Sequence, residues 1–242
     1  MKEERALKLL AIDTTGQTAS VALAEDTKIL AEYTINYNMT HSQTTMPMIE
    51  AICKNIELDL STLDYIACSC GPGSFTGLRI GAATAKGMAL GLAIPVVAVP
   101  TLDALAYNIF STDAMICPIM DARRQQVYTA FYQWHKQKLC RLTPYEALSI
   151  EDVIEKAKTF EKVIFLGDGV LVHKKLLSQQ ETFCFAPIHC ALQRGACVAS
   201  LALEMIAEGK TVRGSELEII YIRKPQAERE REQRIHKEEG KC

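Results

Sequence analysis

The residues from Gly71 to Gly81 read Gly-Pro-Gly-Ser-Phe-Thr-Gly-Leu-Arg-Ile-Gly, and they hold the groups best suited to chemistry on an anion. Four glycines and a proline cannot occupy the middle of a helix or strand without cost. An apolar run, Tyr65 to Cys70, precedes them, and a small-residue helical pattern, Ala82 to Gly91, follows. The segment therefore reads as strand, tight turn and helix start, with Ser74 as N-cap. Phe75, Thr76 and Gly77 would form the first turn, its free N–H groups and the positive end of the helix dipole facing outward. Such a corner can hold an anion. It can equally be a rigid bend that lets two helices approach closely. Two further turns bear on that choice. Asp13-Thr14-Thr15-Gly16 ends one apolar run and Asp121-Ala122-Arg123-Arg124 ends another. A turn that cradles a polyphosphate needs glycine so that backbone N–H groups can crowd it. The first turn has Gly16 and reads as a degenerate phosphate loop. The second has no glycine but two arginines, which can themselves bind phosphate. Gly167-Asp168-Gly169 is a third and weaker turn of this kind.

Other chemistries find little support. The five histidines are scattered, with no H-x-x-x-H or H-E-x-x-H spacing, and the nine cysteines form no C-x-x-C pair. No metal, no cofactor and no catalytic residue is expected. Cys68 and Cys70 share a strand face, and the cysteines read as small buried hydrophobes of a reducing cytoplasm. A formal net charge of −2 gives the molecule no bulk attraction for nucleic acid or membranes. The charged start and the short apolar run Leu9 to Ile12 carry no secretory pattern, and no stretch approaches the roughly 20 apolar residues of a membrane span.

These groups need elements to place them. The chain has 242 residues, 48% hydrophobic and 23% charged, enough for one large domain or two small ones. Leu7 to Asp13, Thr18 to Ala24 and Ile29 to Asn36 read as a three-strand meander. The period turns helical from Ser42 to Ile56. A strand at Tyr65 to Cys70, a helix from Phe75 to Leu90, a strand at Pro95 to Val99 and a short helix from Leu102 to Phe110 follow. The pattern then restarts. Met115 to Asp121 is a buried run ending in Asp, Val127 to Trp134 and Lys138 to Tyr145 read as two strands, Ile150 to Thr159 as a helix capped by Ser149, and Val163 to Leu166 as a strand. Gly195 to Ala207 is an apolar helix closing the second half, and Leu217 to Ile222 is strand-like. The repeat, offset by roughly a hundred residues, argues for two similar α/β lobes. The expected division is a first lobe over 1–110, a second over 111–225, and a charged tail over 226–242.

The two helices of the first lobe suggest a working surface. Met46, Ile49, Cys53 and Ile56 form one stripe of the first helix, and Met48 with Ile52 another, an apolar arc wider than one core face needs. Gly77, Gly81, Ala82, Ala85 and Ala89 line one side of the second, where small residues permit close backbone approach. Arg79 and Lys86 lie two turns apart as candidate rim charges. These residues are the expected partner interface, and methionines suit a surface that accepts more than one partner.

The meander with Asp on its first strand, met twice, resembles the actin-like superfamily of sugar kinases and chaperone ATPases. More closely, Ala11-Ile12-Asp13-Thr14-Thr15, His41-Ser42-Gln43, the Gly71 to Gly81 motif, Asp121-Ala122-Arg123-Arg124 with Val127-Tyr128, and Tyr221-Ile222-Arg223 with Ala227-Glu228 resemble the TsaB (YeaZ) family over residues 7–228. The resemblance implies a duplicated RNase H-like, actin-like fold and a non-catalytic subunit. Its implied partners are a TsaD-like threonylcarbamoyl transferase acting on tRNA and a small TsaE-like ATPase, with a homodimer in isolation and tRNA met only through the complex. The histidine pair implied for the catalytic relative is absent from Val99 to Ala106. The alternatives are a nucleotide-dependent kinase or hydrolase of the same fold, or a metallopeptidase.

Overall fold

A computed structural model describes residues 5–37 and 39–223, so the tail expected over 226–242 lies outside the described residues. In the first lobe β1 (Lys8–Asp13), β2 (Ala19–Glu25) and β3 (Lys28–Ile35) form the antiparallel meander. β4 (Tyr65–Ser69) pairs in parallel with β1, and β5 (Val96–Val99) with β4, giving the order β3-β2-β1-β4-β5. α1 (His41–Asn55) and α2 (Phe75–Leu92) cover one face, and α3 (Thr101–Ala106) follows β5. Central strands covered on both sides read as unbroken apolar runs. Accordingly Leu10 and Ile12 of β1 pack with α1 and α2, while Leu9 and Ala11 face the other way.

The second lobe repeats the plan. β6 (Met115–Asp121) pairs antiparallel with β7 (Gln126–Thr129), and β7 with β10 (Glu146–Ser149). After α4 (Ile150–Ala157), β11 (Val163–Leu166) joins β6 in parallel. After α5 (Asp168–Leu177), β12 (Phe183–Phe185) joins β11. The order β10-β7-β6-β11-β12 has the same connectivity as the first sheet, so the fold is a duplicated RNase H-like, actin-like one. Ser149 caps α4 as expected, accepting from the Asp152 N–H at 3.0 Å.

Three expectations change. The run Val127 to Trp134 is not one strand: β7 ends at Thr129, and β8 (Tyr132–His135) forms a hairpin with β9 (Lys138–Arg141). At Phe131 the backbone leaves the β7 ladder, its N–H donating to the Thr143 hydroxyl at 3.0 Å and its carbonyl accepting from the Leu142 N–H at 2.7 Å. The apolar helix α6 (Gly195–Ala207) does not close the second lobe; Val198, Ala199 and Ala202 pack on Leu9, Ala11 and Ala67 of the first sheet. Leu217 to Ile222 forms no strand, although the Ile220 N–H donates to the Cys70 carbonyl at 2.8 Å and carries the chain back to the glycine corner. The lobes are also joined at α3. The Asp103 carboxylate accepts from the Tyr132 hydroxyl at 2.7 Å and the Tyr145 hydroxyl at 2.8 Å, and burial drives both phenols well above the ordinary value.

Candidate functional site

A cleft of about 410 Å³ lies between the lobes. Its walls are the turn after β1 (Thr15 to Gln17), the glycine corner and start of α2 (Pro72 to Thr76), the turn after β6 (Met120 to Arg123), Asp168, and the returning segment Ile220 to Arg223. The turns singled out in the sequence therefore meet at one place, but their polar groups are largely spent on each other.

Asp13 is 1% exposed. Its carboxylate accepts from the Ser69 hydroxyl at 2.6 Å, and from the Thr15 N–H and hydroxyl at 2.9 and 2.7 Å. Burial raises its pKa above the usual carboxylate value, only partly offset by those donors. Thr14 donates its hydroxyl to the Gly77 carbonyl at 2.8 Å. The Thr15 carbonyl accepts from the Ser74 N–H at 2.7 Å. His41, the first residue of α1, places Nε2 2.9 Å from the Gly16 carbonyl. A Cβ on Gly77 would run into the Thr14 carbonyl oxygen, so glycine is required there for close approach. Gly71 needs its freedom for a different reason: its φ is +113°. Thr14 and Thr15 of the first turn are thus packed against the start of α2, while Gly16 and Gln17 line the cleft and the Gln17 backbone bonds Asp168.

The second turn has a different character. Arg123, Arg124 and Gln125 have φ of 64°, 56° and 60°, three successive left-handed residues without a glycine. This conformation costs roughly 1–2 kcal/mol per residue. The Asp121 carboxylate accepts from the Arg123 N–H at 2.8 Å, and Asp168 accepts from the Asp121 N–H at 2.9 Å. Burial raises the Asp168 pKa, and the neighbouring Asp121 adds to the shift. Among the described residues no three His, Cys, Asp or Glu side chains converge as a metal site would require, and α3 carries no histidine. The described residues do not fit a resident metal. Burial also pushes the Cys70 and Cys117 thiols up to about 12, which leaves them protonated and inert.

The expected interface residues divide. Ile49, Ile52, Ala82, Ala85 and Ala89 are 0–4% exposed, and Gly77 and Gly81 are buried. The chain's own core takes these seven, because the small-residue side of α2 faces β1 and β4 of its own sheet. They cannot present a surface. Met46 (52% exposed), Ile56 (37%) and Arg79 remain on the outside, with Cys53 and Lys86 half-buried. On the opposite side of α2, Thr76, Arg79, Ala83, Gly87, Leu90 and Gly91 form an exposed stripe, with Leu90 84% exposed, and of these the sequence reading named only Arg79 for the interface. Spacings of three and four link these residues, but small residues on both faces hid which face was inner. Also missed was Gln193, 2% exposed, whose amide lies against Gly16.

The family described as "TsaD: tRNA N6-adenosine threonylcarbamoyltransferase" matches residues 28–215. A Bacillus subtilis protein named tRNA threonylcarbamoyladenosine biosynthesis protein TsaB is 37% identical over 71% of this chain and 75% of its own length. The Escherichia coli protein of that name is 30% identical over 90% of this chain and 95% of its own. A solved Pseudomonas aeruginosa structure, described as similar to the peptidase YeaZ, superposes with a TM-score of 0.77 at 27% identity, covering 90% of this chain and all of that one.

Proposed function

Because this chain belongs to the TsaB family of tRNA threonylcarbamoyladenosine biosynthesis proteins, we propose that it serves the TsaD-like transferase as a non-catalytic subunit, docked through the outer faces of α1 and α2. The observation that carries the reading is the outer stripe of α2. Gly87 and Gly91 have no atom within 4 Å of where a Cβ would stand, and Leu90 between them is 84% exposed. A partner helix can approach such a stripe closely, and Met46 and Ile56 of α1 extend the apolar area. The same face would pair isologously in a homodimer when the partner is absent. The first turn, whose Thr14 and Thr15 are spent on the start of α2, and the glycine-free second turn argue against a nucleotide clamp in this chain, and so against the kinase alternative. A TsaE-like ATPase would join the assembled pair. The match to the TsaD family is compatible with shared ancestry of the two subunits.

Reconstitution tests the reading. Threonylcarbamoyladenosine formation on tRNA is measured with the TsaD-like and TsaE-like proteins, with and without this chain. Formation is expected only when it is present, and transfer by this chain alone would refute the non-catalytic role.

A further inference from the structure

The rim of the inter-lobe cleft carries arginines beyond the outer stripe of α2, with Arg79 lying where the two surfaces meet. Arg123 and Arg223 line the cleft. Arg124 follows Arg123 in the same left-handed turn. Arg79 lies over the Phe75 ring, 3.9 Å from its centroid, and its Nε donates to the Tyr221 hydroxyl at 3.4 Å. Phe75 and Tyr221, both in the cleft wall, stand 5.3 Å apart, and Tyr221 is 42% exposed. Among the described residues, one contact joins these four guanidinium groups to a carboxylate, Arg123 Nε to Asp121 at 3.8 Å, and the Arg123 side chain is 89% exposed. Arg223 donates to the Ala122 carbonyl at 2.8 Å. The acids facing the rim are Asp121 and the buried Asp168. A chain of net charge −2 has gathered a local positive excess beside an aromatic platform.

We propose that this rim binds a single-stranded segment of RNA, with phosphates on Arg123, Arg124 and Arg223 and a base stacked on the open face of Tyr221. Forked guanidinium groups match phosphate oxygens, and unpaired bases stack on aromatic rings and on arginine planes. An acidic peptide would use the charges but leave the Tyr221–Phe75–Arg79 platform without a purpose. The inference rests on the role proposed above, since it names a direct contact with the nucleic acid that the assembly would act on.

The test is fluorescence anisotropy of a labelled single-stranded RNA with the full-length chain, titrated between about 50 and 200 mM salt. Each phosphate contact to a single strand adds about 0.7 to the slope of log affinity against log salt. The double variant Arg123→Gln, Arg124→Gln is expected to bind with a slope shallower by about 1.4, and about 25-fold more weakly near 0.1 M salt. Both side chains are exposed, so thermal unfolding should not shift. Tyr221→Ala is expected to weaken binding about tenfold with the slope unchanged. No RNA binding by the wild type at the lowest salt overturns the proposal, as does binding that neither variant affects. Competition by polyglutamate as strong as by RNA, with Tyr221→Ala silent, overturns it in favour of an acidic peptide. The reconstituted reaction separates the two ideas. If it proceeds without this chain, the subunit role falls while anisotropy still reports on the rim. If the rim variants bind RNA normally and support the reaction, the rim proposal falls alone.

Discussion

Gly87→Arg separates folding from docking. Gly87 is exposed in the interior of α2, and a Cβ there meets nothing within 4 Å. Glycine in a helix interior is about 0.8–1 kcal/mol less favourable than alanine, and arginine lies close to alanine. The substitution is therefore expected to stabilise the isolated chain by somewhat under 1 kcal/mol, raising Tm by about 2–4 °C for a chain of this size. Its effect on docking has the opposite sign. Packed helices lie about 8–10 Å apart, and a seam of small residues has no room for a guanidinium group. Docking would bury that charge unpaired, costing about 3–5 kcal/mol, or on the order of a hundredfold or more in affinity. Differential scanning calorimetry of the variant and titration against the TsaD-like partner read the two effects separately. A raised Tm with wild-type affinity would refute the assignment of the outer stripe as the contact. A lowered Tm would refute the claim that Gly87 faces outward.

Ala85→Arg is the companion, one position along the stripe that the chain's own core occupies: Ala85 is 0% exposed. It is expected to destabilise the fold by at least about 3 kcal/mol through overpacking and a buried charge, and a Tm within a degree of wild type would show that α2 is turned the other way. Asp13→Asn tests the closed turn through pH. The native pKa of Asp13 is raised by burial, so the folded state holds its proton more tightly than the unfolded chain does. Stability from this group is complete below the unfolded value of about 3.9 and is lost as pH rises through the higher native value. The variant should lose that part of the decline as pH rises above about 4 in thermal melts; a pH profile parallel to wild type contradicts it.

Much of this architecture is legible in the sequence because it depends on local periodicity. The meander, the glycine corner, the Ser74 and Ser149 caps and the repeat of the plan follow from alternation, turn residues and helical spacing. What escapes is governed by long-range packing. Gly195 to Ala207 is apolar nearly all round, so its composition suits either lobe, and only the match to Leu9, Ala11 and Ala67 places it on the first sheet. Val127 to Trp134 has strand residues throughout, and the break comes at Phe131, whose backbone bonds Leu142 and Thr143 from further along the chain. The inner and outer faces of α2 escaped on the same ground. Helix α2 is small-residued on every side, so no moment distinguishes Gly81 and Ala85, which sit on its own sheet, from Gly87 and Gly91, which do not.

The two faces of α2 explain each other. A helix start that is to hold phosphate must leave its first N–H groups free and its neighbouring turn open. Here the Ser74 N–H donates to the Thr15 carbonyl, the Gly77 N–H to the Ser74 hydroxyl, and the Gly77 carbonyl accepts from Thr14. That inward use of the corner needs glycine at 77, since any side chain would push α2 off the turn. Once seated, α2 is fixed along its length by Ala82, Ala85 and Ala89, and its opposite side is held at a defined height above the sheet. A rigid, shallow, small-residue stripe is what a partner helix requires, and little ordering cost remains when it docks. The groups of the corner that bond inward are the ones that make the helix a stable platform.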